Sequence, residues 1–141
     1  MEDKKFDFKK LDKLNDPARK EFQSPDLIWE SLGLENAEVL VDVGAGTGFF
    51  AMPFADKMEK GLVYACDTSE QMIQWMKENI PPLYKDRVLP FQTTENRIEL
   101  ESDIADLVYM INLHHELDDP EKMLVECYRL IRPGGMVMII D

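Results

Sequence analysis

An apolar run followed by three glycines at alternate positions strongly limits what this chain can fold into. Residues 39–43 are Val-Leu-Val-Asp-Val, which is typical of a strand buried in a parallel sheet, and a Gly-x-Gly-x-Gly sequence fills positions 44–48. The apolar residues spaced by four that follow predict a helix over about 47–59. Strand, glycine turn and helix together predict the first βα unit of a nucleotide-binding sheet, in which glycines allow a tight turn and a close ligand approach. The backbone N–H groups at the start of the helix can then bind an anionic group.

An acidic residue stands where a nucleotide-binding unit needs one. A second apolar run, residues 62–66, ends at Asp67, which lies 19 residues beyond Gly48 (67 − 48 = 19). A carboxylate at this distance from the glycines can accept hydrogen bonds from both hydroxyls of a ribose. The alternative is that Asp67 or Ser69 only caps the next helix.

The remaining hydrophobic pattern alternates strands with helices. Strands are predicted at about 38–43, 62–66, 88–91, 105–111 and 136–140, with helices beginning at Ser24-Pro25, about residue 47, Ser69 and Asp118-Asp119-Pro120. This alternation predicts an α/β fold with a doubly wound, mostly parallel, Rossmann-like sheet of order 3-2-1-4-5 between two helical layers. Pro90 cannot donate to a ladder, so the third strand is predicted at an edge. Ligands are expected where strands one and four end.

Charge and composition argue against several functional classes. The 141 residues carry a net charge of −12, which repels phosphate backbones and argues against nucleic acid as a partner. No apolar run approaches the ~18 residues of a membrane span and no signal peptide is apparent, so we expect a cytoplasmic chain without a membrane partner. The two cysteines, Cys66 and Cys127, are predicted to be buried. No metal site is predicted, since the adjacent His114 and His115 would point to opposite sides of a strand.

Taken together, these motifs resemble the class I S-adenosylmethionine-dependent methyltransferases. The dinucleotide fingerprint Gly-x-Gly-x-x-Gly would need a glycine at Phe49, whereas residues 42–48 read Asp-x-Gly-x-Gly-x-Gly, similar to the first motif of that family. The resemblance extends to residues 105–115 and to residues 129–135, which are similar to the family's Leu-x-Pro-Gly-Gly turn. Within the family, the chain looks most like the small-molecule branch that includes the ubiquinone/menaquinone and arsenite methyltransferases.

The resemblance implies S-adenosylmethionine as the cofactor, S-adenosylhomocysteine as its product, and a set of binding residues. Asp42 would lie near the methionine amine, Asp67 would hold the ribose, and Leu113 would border the sulfonium. The implied cofactor-binding residues are Asp42, Gly44, Ala45, Gly46, Gly48, Asp67, Thr68, Met72, Thr94, Glu95, Asn112 and Leu113. His114 or His115 would be the general base if the methyl acceptor needs one. The alternative is that His115 caps a turn.

The implied reaction is an in-line displacement that moves a methyl group to a small-molecule acceptor, with the enzyme mainly aligning the reacting atoms. Two other hypotheses stay open: a cofactor-binding fragment or regulatory module without catalysis, and a nicotinamide-dependent oxidoreductase, which Phe49 disfavours.

The resemblance also bears on where the domain ends. We expect residues 1–23 to form an N-terminal arm or lid and residues 24–141 to form the methyltransferase domain. Family members continue with strands six and seven, which are missing here, so the domain is predicted to be truncated. Its fifth strand would be an exposed apolar edge through which a homo-oligomer can form.

Overall fold

The structure, a computed structural model, describes residues 24–141, so the predicted arm over residues 1–23 lies outside the described residues. The helices are α1 (Pro25–Leu32), α2 (Ala51–Lys57), α3 (Glu70–Asn79) and α4 (Pro120–Leu130). The strands are β1 (Val39–Val43), β2 (Leu62–Asp67), β3 (Val88–Gln92), β4 (Ala105–Ile111) and β5 (Ile131–Ile140). Two single 3-10 turns cover Pro82–Tyr84 and His114–Glu116.

The strands form one parallel sheet of order β3-β2-β1-β4-β5, which confirms the predicted topology. Pro90 lies in β3, an edge strand as its missing N–H requires. Strand β5 is the other edge. Among residues 24–141 no strand pairs with its outer side, and the Ile139 side chain is 38% exposed. Pairing of this edge with a second copy stays a prediction. Since all strands run in the same direction, their carboxyl ends meet at one edge of the sheet.

An apolar core lies on each face of the sheet, between the strands and the helices that cover them. The two cores confirm the predicted three-layer arrangement. On one face, α1, α2 and α3 pack through side chains such as Phe54 and Met76. On the other face, α4 packs through Cys127 and Leu130. Cys66 and Cys127 are both buried, as predicted, and burial raises the pKa of the Cys127 thiol to about 12. Within the described part of the chain, no helix combines the length and apolar character that crossing a membrane requires.

Two element boundaries differ from the sequence-based prediction. Helix α2 begins at Ala51 and not near residue 47, because the glycine-rich turn continues through Phe50. Strand β5 begins at Ile131, well before the predicted residue 136. Ile131 already pairs with Ala105 of β4, and Met136 pairs with Leu107, so extra residues of β5 between these two pairs shift the register.

The edge of the sheet where the strands begin is fastened by charged side chains. The buried Asp106 carboxylate of β4 accepts a hydrogen bond from the N–H of Glu38 (2.7 Å) just before β1, and it pairs with Arg132 of β5. The Arg87 guanidinium donates to the carbonyl of Gly61 (2.6 Å) and to two carbonyls at the end of α2. These contacts join the starts of β1, β4 and β5 to one another and the start of β2 to that of β3, at the edge opposite the carboxyl ends of the strands.

A second charged network fastens the segment between β3 and β4 onto α4. The buried Glu126 carboxylate accepts hydrogen bonds from Arg129 Nε (2.8 Å) and from the N–H of Ile98 (2.7 Å). The same guanidinium donates to the carbonyls of Ile98 (2.7 Å) and Leu100 (2.8 Å). The hydrogen bond from Arg129 holds the pKa of Glu126 below its ordinary value, although burial acts in the opposite direction.

This lowered pKa predicts a pH-dependent contribution to stability. The ionised Glu126 stabilises the fold above its ordinary pKa of 4.5, and this contribution is lost as the pH falls through the lower folded-state value. We expect Glu126→Gln to reduce the free energy of unfolding at neutral pH by about 2 kcal/mol. The variant should lose less of its remaining stability than the wild type on acidification. Urea unfolding at several pH values measures both effects. Glu121→Gln, on an exposed position of the same helix, is the control, and an equal loss in both variants would contradict the prediction.

Candidate functional site

The turn that follows β1 contains three glycines with left-handed backbone conformations. Gly44, Gly46 and Gly48 have φ angles of 80°, 60° and 81°, which side chains rarely tolerate. The N–H groups of Gly44 and Ala45 both donate to the carbonyl of Cys66 in β2, at 2.9 and 2.8 Å. The turn is therefore fixed to the neighbouring strand by the protein's own hydrogen bonds.

The Asp67 carboxylate holds the same turn from the end of β2. Its Oδ2 accepts the N–H of Gly46 (3.1 Å), and its Oδ1 accepts the N–H of Ser69 (2.9 Å). Ser69 is itself the N-cap of α3 and accepts the N–H of Met72 (3.2 Å), while the half-buried Thr68 stands between the two polar residues. Asp67 therefore joins the glycine turn to the start of α3 at the carboxyl end of β2. Its contact with a ribose stays a prediction.

A buried carboxylate lies in β1, two residues before the first glycine of the turn. Asp42 is almost inaccessible to solvent, and its register partner in β4 is Tyr109. The Tyr109 hydroxyl is fully buried and makes no hydrogen bond of standard geometry within the described residues. Burial, and after it the negative charge of Asp42, raise the pKa of Tyr109 well above its ordinary value. The tyrosine therefore stays neutral, and Asp42 is the acidic group at this point of the site, which suits a cationic ligand group such as an amine.

Strand β4 ends beside the glycine turn. Asn112 has a left-handed φ of 61°, and its N–H donates to the carbonyl of Ile140 in β5 (2.6 Å). The Leu113 side chain then packs directly over Gly44, since a Cβ added to Gly44 would lie 2.7 Å from Leu113 Cδ2. The structure thus brings Leu113 onto the glycine turn, while the N–H of Asn112 bonds to β5. Their contacts with a ligand stay predictions.

The segment after β3 reaches the same edge of the sheet. The N–H of Thr93 donates to the carbonyl of Asp67 (3.0 Å), which places Thr94 and Glu95 near the end of β2. The Met72 side chain, in contrast, is fully buried and presents no surface. Its contact with an adenine stays a prediction, as do the adenine contacts of Thr94 and Glu95.

The two histidines do not lie on a strand, so the expectation that they point to opposite sides is wrong. They form the 3-10 turn after β4, and both rings face Asp141, the residue that follows β5. His115 Nδ1 is 3.1 Å from one carboxylate oxygen of Asp141, and His114 Nδ1 is 3.5 Å from the other. Sequence reasoning missed Asp141, and the only available signal was its position at the carboxyl end of a strand. Within residues 24–141, no group of three or more His, Cys, Asp or Glu side chains is arranged to hold a metal ion.

The sequence matches the family described as "Methyltransferase domain" over residues 41–139. Among solved structures, it is similar to an S-adenosylmethionine-dependent methyltransferase from Aquifex aeolicus, with 37% sequence identity and a TM-score of 0.87. That similarity covers 97% of this chain and 73% of the Aquifex chain.

Two curated relatives differ in the acceptor that their names state. The chain is 30% identical over 100 residues to a tRNA(Phe) aminocarboxypropyltransferase from Methanocaldococcus jannaschii, covering 71% of this chain and 38% of the relative. It is 24% identical over 131 residues to the ubiquinone/menaquinone biosynthesis C-methyltransferase UbiE from Blochmanniella floridana, covering 81% and 48%. The chain therefore spans less than half the length of either relative.

Proposed function

Since this chain belongs to the methyltransferase domain family and uses S-adenosylmethionine as its cofactor, we propose that it transfers the methyl group to a small-molecule acceptor by in-line displacement. The observation that carries the proposal is the Asp67 carboxylate at the end of β2, which accepts hydrogen bonds from Gly46 in the left-handed glycine turn and from Ser69 at the start of α3. An NAD-dependent oxidoreductase is disfavoured by Phe49, which stands at the third fingerprint position.

We assign the binding roles to the residues at the carboxyl edge of the sheet. Asp42 is assigned to the methionine amine and Asp67 to the ribose hydroxyls, because both are carboxylates at the carboxyl ends of strands that adjoin the glycine turn. The remaining proposed contacts are Gly44, Ala45, Gly46 and Gly48 in the turn, Thr68, Thr94 and Glu95 on the adenine side, and Asn112 and Leu113 beside the sulfonium. Met72 is proposed on the adenine side as well, where its buried side chain would have to turn outward to reach the ligand. When bound, S-adenosylmethionine supplies an electrophilic methyl group. The protein contributes by fixing the direction from which the acceptor approaches.

The small-molecule acceptor is supported by charge. A net charge of −12 opposes the approach of a polyanion, and two acidic residues lie in or just after the histidine turn, Glu116 within it and Asp118 two residues beyond it. A tRNA acceptor is the second candidate, because one relative is named for transfer to tRNA(Phe). A cofactor-binding module without catalysis is the third, since the chain spans only part of its curated relatives. The proposed location is the cytoplasm.

One labelling experiment separates these acceptors. The protein is incubated with methyl-labelled S-adenosylmethionine and, separately, with the small-molecule fraction of a cell extract or with purified bulk tRNA. We expect label in a small-molecule product and none in RNA. Label in tRNA would overturn the proposed acceptor class. Cofactor binding by calorimetry without transfer to either pool would favour the non-catalytic module. Asp67→Ala is the control, because any label that this variant still transfers does not depend on the cofactor site.

A further inference from the structure

The carboxyl ends of β4 and β5 bring two imidazoles against one carboxylate. The Asn112 N–H donates to the carbonyl of Ile140, so the strand ends that carry the histidine turn and Asp141 are hydrogen-bonded to each other. His115 makes the closer approach, 3.1 Å between its Nδ1 and Asp141 Oδ1. His114 Nδ1 is 3.5 Å from Oδ2. The cluster is therefore built on paired strands of the sheet.

The geometry determines which nitrogen of His115 is free to accept a proton. An ionised carboxylate only accepts hydrogen bonds, so the hydrogen of the neutral ring lies on Nδ1 and the lone pair on Nε2. The hydrogen bond from His115, with the charge of His114, holds the pKa of Asp141 below its ordinary value. The His115 side chain is 59% exposed, which leaves Nε2 accessible from solvent.

The cluster directly follows Leu113, which packs against the candidate cofactor site. The 3-10 turn follows directly after Leu113, whose side chain packs over Gly44 of the glycine turn. Beside Asp141, the titratable groups of the turn that accompany His115 are His114 and the exposed Glu116. A base in this turn would therefore lie close to Leu113, the residue proposed to border the sulfonium.

We propose that Asp141 is a positioning residue that holds His115 in the Nδ1–H form, and that His115 Nε2 removes a proton from the methyl acceptor. The inference rests on the proposed methyltransferase function and adds the class of acceptor to it: a molecule whose attacking atom carries a proton, such as a hydroxyl. The oxygen forms the bond to the methyl carbon, the electron pair of the broken methyl–sulfur bond stays on sulfur, and the hydroxyl proton moves to His115. Asp141 stabilises the resulting imidazolium until the proton passes to water.

The first test needs neither cofactor nor acceptor. Long-range ¹H–¹⁵N spectra of the histidine rings at about pH 8, where imidazoles are mostly neutral, report which nitrogen carries hydrogen. We expect His115 to be mainly Nδ1–H in the wild type and to shift towards Nε2–H in Asp141→Ala. Asp141→Asn keeps an acceptor oxygen and should restore the wild-type form. Glu116→Gln removes a charge from the same turn and should change nothing. A His115 that is mainly Nε2–H, or that ignores Asp141→Ala, would overturn the positioning role.

The second test measures the rate of label transfer to the small-molecule fraction between about pH 5 and pH 9. We expect Asp141→Ala to lower the rate about a hundredfold at neutral pH, because a positioned base contributes roughly this factor or more. An unchanged rate would overturn the inference. Failure of the proposed function is recognised separately, because S-adenosylmethionine would then not bind in calorimetry whatever the histidine spectra show.

Discussion

Replacement of Asp67 with alanine is expected to weaken S-adenosylmethionine binding about a hundredfold. The substitution removes the acceptor for the ribose hydroxyls and also frees the N–H groups of Gly46 and Ser69, which the carboxylate holds at 3.1 and 2.9 Å. Hydrogen bonds to a charged group contribute about 1.5–3 kcal/mol each, and about 1.4 kcal/mol corresponds to a factor of ten in the dissociation constant. Isothermal titration calorimetry with S-adenosylmethionine and S-adenosylhomocysteine measures the loss.

Two variants and one ligand control this experiment. Asp86→Ala removes the same charge at an exposed position before β3, at the opposite edge of the sheet, and should bind like the wild type. Asp67→Asn keeps one acceptor oxygen and should fall between the wild type and the alanine variant. NAD should not bind. If Asp67→Ala binds as tightly as Asp86→Ala, the carboxylate serves only to shape the turn, and tight NAD binding would favour the oxidoreductase.

The largest effect on stability is expected from Gly61→Ala, just before β2. Gly61 has a φ of 150°, and an added Cβ would lie 2.6 Å from the carbonyl oxygen of Glu38. Glu38 cannot move aside cheaply, because its carbonyl accepts the N–H of Leu62 (2.9 Å) and its own N–H donates to Asp106 (2.7 Å). Backbone strain and overpacking together should cost about 3 kcal/mol of unfolding free energy, or roughly 10 °C in Tm.

Thermal unfolding of Gly61→Ala is compared with that of Gly33→Ala. Gly33 also has a left-handed φ, 62°, but an added Cβ there would have no neighbour within 4 Å. The control therefore carries strain without the clash and should lose clearly less stability. Equal losses in the two variants would contradict the prediction, because the backbone at Gly61 and Glu38 would then accommodate the added Cβ at no further cost in stability.

The sequence predicted those parts of the fold that depend on local pattern. The strand order follows from the alternation of apolar runs with helices, and the glycine turn and Asp67 follow from spacing along the chain. The boundaries of α2 and β5 were less predictable, because each depends on tertiary pairing. Ile131 joins the sheet only because Ala105 lies opposite it.

Contacts between residues far apart in the sequence could not be predicted from the pattern of apolar and polar residues. The hydrogen bond between His115 and Asp141 joins residues 26 positions apart, and the carboxylate of Glu126 accepts from an N–H that lies 28 positions away. Neither pair belongs to a motif, so each depends on where the strands and helices end in space. For the same reason, the histidine turn was predicted as part of a strand.

The hydrogen bonds from Gly44 and Ala45 to the Cys66 carbonyl have a consequence for how the protein recognises its cofactor. A turn that is already held in shape loses little conformational entropy when a ligand arrives, so more of the interaction energy is available as affinity. Differences in affinity between related adenosyl compounds should then lie mainly in how long each stays bound and much less in how fast it associates. The glycine turn should therefore distinguish adenosyl ligands mainly through their dissociation rates.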